Sequence, residues 1–258
     1  MTTNPRWESL AQTFLAHYAS LFGQVRIHVL HAHLMDHLPP APGEIVDLGG
    51  GGGHQALPLA RAGYAVTLID SSPTMLSEAA RLREQEPREV SDRLELVKAS
   101  SVEAPYLLGK GRFDGVLCHG LLMYLDDPLP LLSTMSALAR PGAIISVVGA
   151  NRHNFAMPAA IRHDWAGVLA SFDTDRRKNW LGADIRGDDV DDLGVSFTSV
   201  EIDPITWYGV RLFTEGWGRN QPPVDPTADV LAAELEATKR DPYRQFSALF
   251  HLLGRRRR

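Results

Sequence analysis

Apolar residues along this chain follow two rhythms, and the change between them falls near residue 43. Trp7, Leu10, Phe14 and Leu15, then Val25, Val29, Leu30, Leu34 and Leu38, recur at helical spacing. This predicts two lead-in helices with Gly23 between them, ended by Pro39-Pro40-Ala41-Pro42-Gly43. From residue 44 short apolar runs alternate with helical stretches. Strands are expected at Ile45 to Leu48, Tyr64 to Asp70, Leu94 to Lys98, Phe113 to His119 and Ala143 to Gly149. Ser71-Ser72-Pro73 caps one intervening helix, and another runs from Pro128 to Ala139 before a turn at Arg140-Pro141-Gly142. Such alternation means a parallel sheet with helices on both faces. Residues 151–197 lose the rhythm and read as an inserted cap. A strand around Thr198 to Ile205, a second apolar stretch at Trp207 to Arg211, a helix over Ala228 to Ala237 and a closing antiparallel strand at Ser247 to Leu253 follow. The expected architecture is one α/β domain, doubly wound around a mostly parallel seven-stranded sheet. Its parts are N-terminal helices (1–42), a core (43–150), a cap (151–197), C-terminal strands and helix (198–254) and a basic tail (255–258).

The first strand runs into Asp47-Leu48-Gly49-Gly50-Gly51-Gly52-Gly53-His54. Only glycine lets main chain approach a ligand closely and adopt positive φ without a Cβ clash, so this turn is expected to lie flat against a cofactor. Two patterns fit. Gly51-x-Gly53-x-x-Ala56 matches a dinucleotide turn. Asp47, Gly49, Gly51 and Gly53 match D-x-G-x-G-x-G, the turn of class I S-adenosylmethionine methyltransferases. Ligand charge favours the second, because an acid beside the turn attracts an ammonium and a sulfonium and repels a pyrophosphate. Asp70, ending the second strand, is placed to accept both hydroxyls of a ribose. Ser71 follows it, Ser100 and Ser101 stand where an adenine would lie, and His119 is expected to face the methionine end. Ligands of such sheets bind beyond the carboxyl ends of the strands, so Asp47, Asp70, Ser100, His119 and Asn151 are expected to line one crevice.

Composition narrows the setting. The 258 residues are 44% hydrophobic and 22% charged, enough for a sizeable core, with a formal net charge of −5 that argues against broad nucleic-acid binding. Cys118 is the only cysteine, so no intrachain disulfide forms and a reducing compartment is expected. No apolar run reaches the roughly 20 residues that span a bilayer, and Met1 to Arg6 has no apolar leader core; a cytoplasmic protein without membrane contact is expected. His28, His31, His33 and His37 read as solvated helix positions rather than metal ligands, because no carboxylate or cysteine pattern completes a site. Asp188, Asp189, Asp191 and Asp192 read as a solvated acidic face, and no metal is expected.

Methyl transfer from a sulfonium is an in-line displacement in which alignment supplies much of the acceleration. An ionised carboxylate acceptor needs no base, whereas a phenol or amine often does. Arg211, with Tyr208 close in sequence, suits a bidentate hold on a carboxylate or phosphate. The chain resembles the bacterial methyltransferases that esterify 5-carboxymethoxyuridine at the tRNA wobble position. The likeness rests on Gly23-Gln24-Val25-Arg26, Asp47 to Gly53, Asp70-Ser71-Ser72-x-x-Met75, Ser100-Ser101, Phe113-Asp114 to His119 with Asp127-Pro128, Asn151-x-His153, Gly209-Val210-Arg211-x-Phe213 and Pro242-Tyr243. It implies a Rossmann-like fold and S-adenosylmethionine as cofactor, leaving S-adenosylhomocysteine. Arg26 then contacts the cofactor carboxylate, with Asp47, Gly49, Gly50, Gly51, Gly53, Asp70, Ser71, Ser100, Ser101 and His119 also on the cofactor. Asn151, Tyr208 and Arg211 are the expected acceptor contacts, with His153 and Tyr208 as candidate catalytic groups. The partner is then a tRNA anticodon loop. Asp175-Arg176-Arg177-Lys178 is less basic than the family's lysine-rich cap segment, which keeps a small-metabolite acceptor open, with His119, His153 or Tyr208 as base. An NAD-dependent oxidoreductase and a cofactor-sensing module without turnover are the remaining alternatives.

Overall fold

The fold is described from a computed structural model, over residues 5–18, 20–215 and 227–258. Helix α1 (Pro5–Tyr18) and helix α2 (Leu21–His37) precede strand β1 (Glu44–Leu48). Then come α3 (Ala56–Arg61), β2 (Ala65–Asp70), α4 (Pro73–Glu84), α5 (Arg88–Ser91), β3 (Leu94–Lys98), α6 (Ala104–Leu108) and β4 (Phe113–His119). Helix α7 (Leu129–Leu138) leads into the long β5 (Ala139–Asn151). Two short helices, α8 (Met157–Ile161) and α9 (Trp165–Ser171), and a hairpin of β6 (Arg176–Lys178) and β7 (Asp184–Asp188) follow. Helix α10 (Val190–Ser199), β8 (Ile202–Val210), α11 (Thr227–Ala237) and β9 (Leu249–Arg256) complete the chain.

The sheet has nine strands among the described residues. Strands β3, β2, β1, β4 and β5 lie side by side in that order and in parallel. Strand β9 runs antiparallel between β5 and β8, pairing Val148 with His251 on one side and Tyr208 with His251 on the other. These seven strands are the expected sheet. The short β7 adds to the far end of β5 through Ala150 and Asn151, and β6 pairs with it. Both faces are covered, and the alternation of side chains shows it. Val46, Val116, Cys118 and Leu252 face a core with α7 and α10, whereas Ile45, Leu117 and Leu253 face one with α2 and α3.

The boundaries differ from the sequence reading in instructive ways. The first two helices break before Ser20, whose hydroxyl caps α2 at Gly23 N, and Gly23 lies inside α2. A Cβ there would sit 2.4 Å from Tyr18 Cα, so the glycine serves the close approach of α1 rather than the break. Arg140-Pro141-Gly142 forms an irregularity within β5, where the register with β4 jumps. The last part of the expected cap is a core helix: Leu193 and Phe197 of α10 are buried under the sheet. Its acids have a local reason, since Asp189 caps the helix at Asp191 N and Asp191 and Asp192 occupy its first turn, where negative charge meets the positive end of the helix dipole. Arg255 and Arg256 belong to β9 rather than to a loose tail; Arg256 pairs with Glu201 and Arg257 with Asp203. The histidines of the second helix are not uniformly solvated: His28 is exposed, as expected, whereas His31 and His37 are partly buried. His33 is buried, bonded to His251 and Thr238 and stacked on Tyr208. Met1 to Asn4 lie outside the described residues.

Candidate cofactor and acceptor cavities

The glycine turn leaves β1 in a conformation that L side chains rarely adopt: φ is +69° at Gly49, +57° at Gly51 and +80° at Gly53. Gly49 and Gly50 donate to the carbonyl of Ile69, and Gly51 N donates to Asp70 Oδ2 at 2.9 Å. Asp70 Oδ1 accepts from Ser72 N at 2.8 Å. The carboxylate that ends β2 is therefore fixed beside the turn. A cavity of about 440 Å³ opens next to it, lined by Gly49, Gly51, Asp70, Ser71, Ser72, Met75, Ser100, Ser101 and His119, a volume suited to a small organic ligand.

Continuous with it is a small polar recess of about 20 Å³, lined by Tyr18, Arg26, Asp47, Gly49, Gly50, Gln55 and His119. Arg26 is buried and donates to the carbonyl of His119 at 2.7 Å and to the Tyr18 hydroxyl at 3.3 Å. Several polar atoms here are buried and lack partners within the protein: Asp47 Oδ1, both side-chain ends of Gln55, and His119 Nδ1. Such clustering points to a polar ligand. Burial, then the nearby Asp70, pushes the Asp47 carboxyl up to about 7, against the opposing pull of Arg26. Gly50 cannot become alanine without cost, since its Cβ would stand 2.8 Å from Asp47 Oδ2. The recess itself has room for about one water, but its charges suit an amino-acid end, with Arg26 for a carboxylate and Asp47 for an ammonium.

A third cavity, of about 450 Å³, meets the first two at Phe14, Arg26, Gly120 and Tyr124. Its wall carries Arg162, Arg177, Lys178 and Arg211 against one acid, Glu215. Arg211 has φ +59°, is buried, and pairs with Glu215 at 3.3 Å; its Nη1 stands 3.5 Å from His17 Nε2. Arg177 lies over the Phe155 ring with its Nε unpartnered, and burial holds its guanidinium below the ordinary range. Trp180 packs on the His17 ring at 4.8 Å.

Of the sequence-expected residues, Arg26, Asp47, Gly49, Gly50, Gly51, Asp70, Ser71, Ser100, Ser101 and His119 line the first two cavities, and Arg211 lines the third. Gly53 does not; a Cβ there would meet Ala79 at 3.3 Å, so its role is close packing against α4. Three expectations fail on geometry. Asn151 turns away to donate to the carbonyls of Gln245 and Ser247. His153 is half-exposed and pairs with Asp189. Tyr208 points at α2, its hydroxyl 2.8 Å from His37 Nε2. A strand end fixes where a backbone is, not which way a side chain turns. Gln55, His17, Arg177, Trp180 and Glu215 were missed: Gln55 directly follows the turn, and Arg177 sits in the basic cap segment, but the others carry no local signal. Among the described residues no three His, Cys, Asp or Glu side chains gather as metal ligands, and no helix is long and apolar enough to cross a membrane.

Comparison with known proteins agrees with this geometry. The family model described as a methyltransferase domain matches residues 46–145, the span of the turn and the first four parallel strands beside β5. Ubiquinone biosynthesis O-methyltransferase of Xanthomonas campestris pv. campestris (strain B100) is 30% identical over 176 residues, 62% of this chain and 71% of that protein. The chain belongs to the class I S-adenosylmethionine-dependent methyltransferases. Over nearly its whole length it is similar to tRNA 5-carboxymethoxyuridine methyltransferase of Escherichia coli (strain K12), at 24% identity across 97% of this chain and 95% of that one. The fold is shared with a Haloferax volcanii putative methyltransferase solved in complex with the Trm112 activator, with a TM-score of 0.65, 14% identity, and coverage of 100% of this chain and 98% of that one.

Proposed function

We propose that this methyltransferase esterifies a carboxylate on an anionic acceptor, 5-carboxymethoxyuridine in tRNA, in the cytoplasm. The observation that carries the reading is the charge of the third cavity, where Arg162, Arg177, Lys178 and Arg211 face Glu215 alone. Bound S-adenosylmethionine supplies the electrophilic methyl group. Arg26 holds its carboxylate, Asp47 its ammonium and Asp70 its ribose. Arg177 and Arg211 seat the acceptor carboxylate, which is already ionised at neutral pH and needs no proton removed. The two side chains on this wall that could take up a proton, His17 and Glu215, are both engaged by Arg211, which suits a reaction without a base. Trp180 and Phe14 supply apolar rings to the lining of the same cavity.

Methyl incorporation into tRNA from cells lacking this modification tests the reading, and no transfer to such tRNA by a protein that binds S-adenosylhomocysteine refutes it. Arg211→Ala or Arg177→Ala should raise the acceptor KM by roughly 10- to 100-fold, the worth of one charge-assisted hydrogen bond, with S-adenosylhomocysteine affinity unchanged. The likeness to a ubiquinone-pathway enzyme favours a second reading, a small aromatic acid held against Phe14, Tyr124 and Trp180. Turnover of small hydroxybenzoates but not of tRNA would select it.

A further inference from the structure

Deep in the fold, five side chains, four of them from separate elements, form one hydrogen-bonded line. It starts at Thr238, just past α11, whose hydroxyl donates to the Leu235 carbonyl at 2.7 Å. Thr238 Oγ1 lies 3.0 Å from His33 Nε2 on α2, and His33 Nδ1 lies 3.2 Å from His251 Nδ1 on β9. His251 Nε2 is 2.7 Å from Ser146 Oγ on β5, and Ser146 Oγ is 2.7 Å from His119 Nε2 at the end of β4. His119 lines both cofactor cavities, and its Nδ1 has no partner in the protein.

We propose that this line fixes the tautomer of His119, so that its Nδ1 is an unprotonated acceptor for the cofactor's α-ammonium. The polarity follows from counting hydrogens. A carbonyl only accepts, so the single hydroxyl hydrogen of Thr238 goes to Leu235, and Thr238 must accept from His33 Nε2–H. A neutral His33 then has a bare Nδ1, and His251 must supply the one proton of the Nδ1 to Nδ1 contact. His251 Nε2 is thereby bare and accepts from the Ser146 hydroxyl, which in turn accepts from His119 Nε2–H. His119 Nδ1 is left without a proton. Reversing every bond would strand the Leu235 carbonyl without this donor and leave a buried N–H unpartnered at His119, the rarer and costlier defect. Burial keeps all three rings neutral: His33 and His119 are held down to about 3 and His251 well below its ordinary value. With Arg26 suited to the cofactor carboxylate, Asp47 Oδ1, Gln55 Oε1 and His119 Nδ1 are the unpartnered acceptors left in the recess for the ammonium. His119 is thus a binding residue, and Ser146, His251, His33 and Thr238 are positioning residues.

Long-range proton–nitrogen spectra of the histidine-labelled, cofactor-free protein read the tautomer directly. The expected signature is Nε2–H with bare Nδ1 for His119, moving toward a hydrogen-bonded Nδ1 on adding S-adenosylhomocysteine. Thr238→Val removes the anchor while keeping the shape. It should mix the His119 tautomers and weaken S-adenosylhomocysteine severalfold by calorimetry, and Thr238→Ser should restore both. His119→Ala should weaken S-adenosylhomocysteine about tenfold, the worth of a hydrogen bond to a charged group, and leave the affinity of its deaminated analogue unchanged. An Nδ1–H tautomer in the wild type overturns the proposal. So does a folded Thr238→Val protein, of whatever melting temperature, that keeps the wild-type tautomer, and so does equal loss of both ligands in His119→Ala.

Discussion

Asp47 is a carboxylate buried without a hydrogen bond on Oδ1, a group that lowers the stability of the cofactor-free protein. Its folded value of about 7 stands above the ordinary 3.8, so between these limits the native state holds a proton that the unfolded chain has released. Stability from this group is therefore present in acid and is lost as pH rises through that window. Asp47→Asn, which mimics the protonated acid, should raise the melting temperature of the cofactor-free protein at pH 8. The gain should shrink as pH falls from 7 toward 4, and stabilisation by S-adenosylhomocysteine should largely vanish. Melting curves across pH with and without ligand check both halves. Asp70 behaves differently, because two backbone amides already hold its oxygens. Asp70→Ala should weaken S-adenosylmethionine by about 10- to 100-fold and leave the sheet folded, as calorimetry and circular dichroism would show. Both acids were legible in the sequence because the turn and the strand end that place them are contiguous with them. Tyr208 and His153 were not, because their partners His37 and Asp189 decide their direction.

At the scale of elements, α2 and β9 meet through imidazole rather than through apolar contact alone. His33 and His251 are held neutral by burial. Below the ordinary 6.5 the unfolded chain takes up protons that the native state refuses, so stability is full above that value and falls as pH drops beneath it. Each such ring contributes a slope of roughly 1.4 kcal/mol per pH unit in that window. Urea titrations between pH 7 and 5 should show that loss, and a flat profile would contradict the neutral pair. A second contact of β9 is steric. The Phe250 ring occupies the space above Gly149, where a Cβ would come within 2.4 Å of it. Gly149→Ala should cost about 1–3 kcal/mol in denaturant unfolding. The parallel strands were readable because burial on both faces makes them continuous apolar runs. His33 of α2 was misread because periodicity treats imidazole as surface polarity, and its partners His251 and Thr238 lie 218 and 205 positions away. Helix α10 was hidden for a related reason, its first turn carrying acids that look like a solvated loop.

For the molecule as a whole, charge is distributed against its average. The chain is net −5, yet the third cavity collects five cations, Arg26 among them, and one acid. With tRNA as acceptor, attraction at the cavity competes with repulsion elsewhere. Added salt from 0.05 to 0.3 M, about a factor of two in Debye length, should therefore lower kcat/KM more for tRNA than for a free carboxymethoxy nucleoside; steady-state rates across that series test it. The cap, the lead-in helices and the sheet all contribute to that cavity, through Arg177, His17 and Arg211 respectively.

Strand β9 has a temporal consequence. It occupies an inner position of the sheet, between β5 and β8, although both of those strands precede it in the chain. A ribosome-bound chain that has exposed the glycine turn and all five parallel strands still lacks the neighbour of β5 and the imidazole of His251. The complete set of neighbours of β5 is thus in place only when residues 249–256 clear the exit tunnel, and nascent intermediates present an open β5 edge until then.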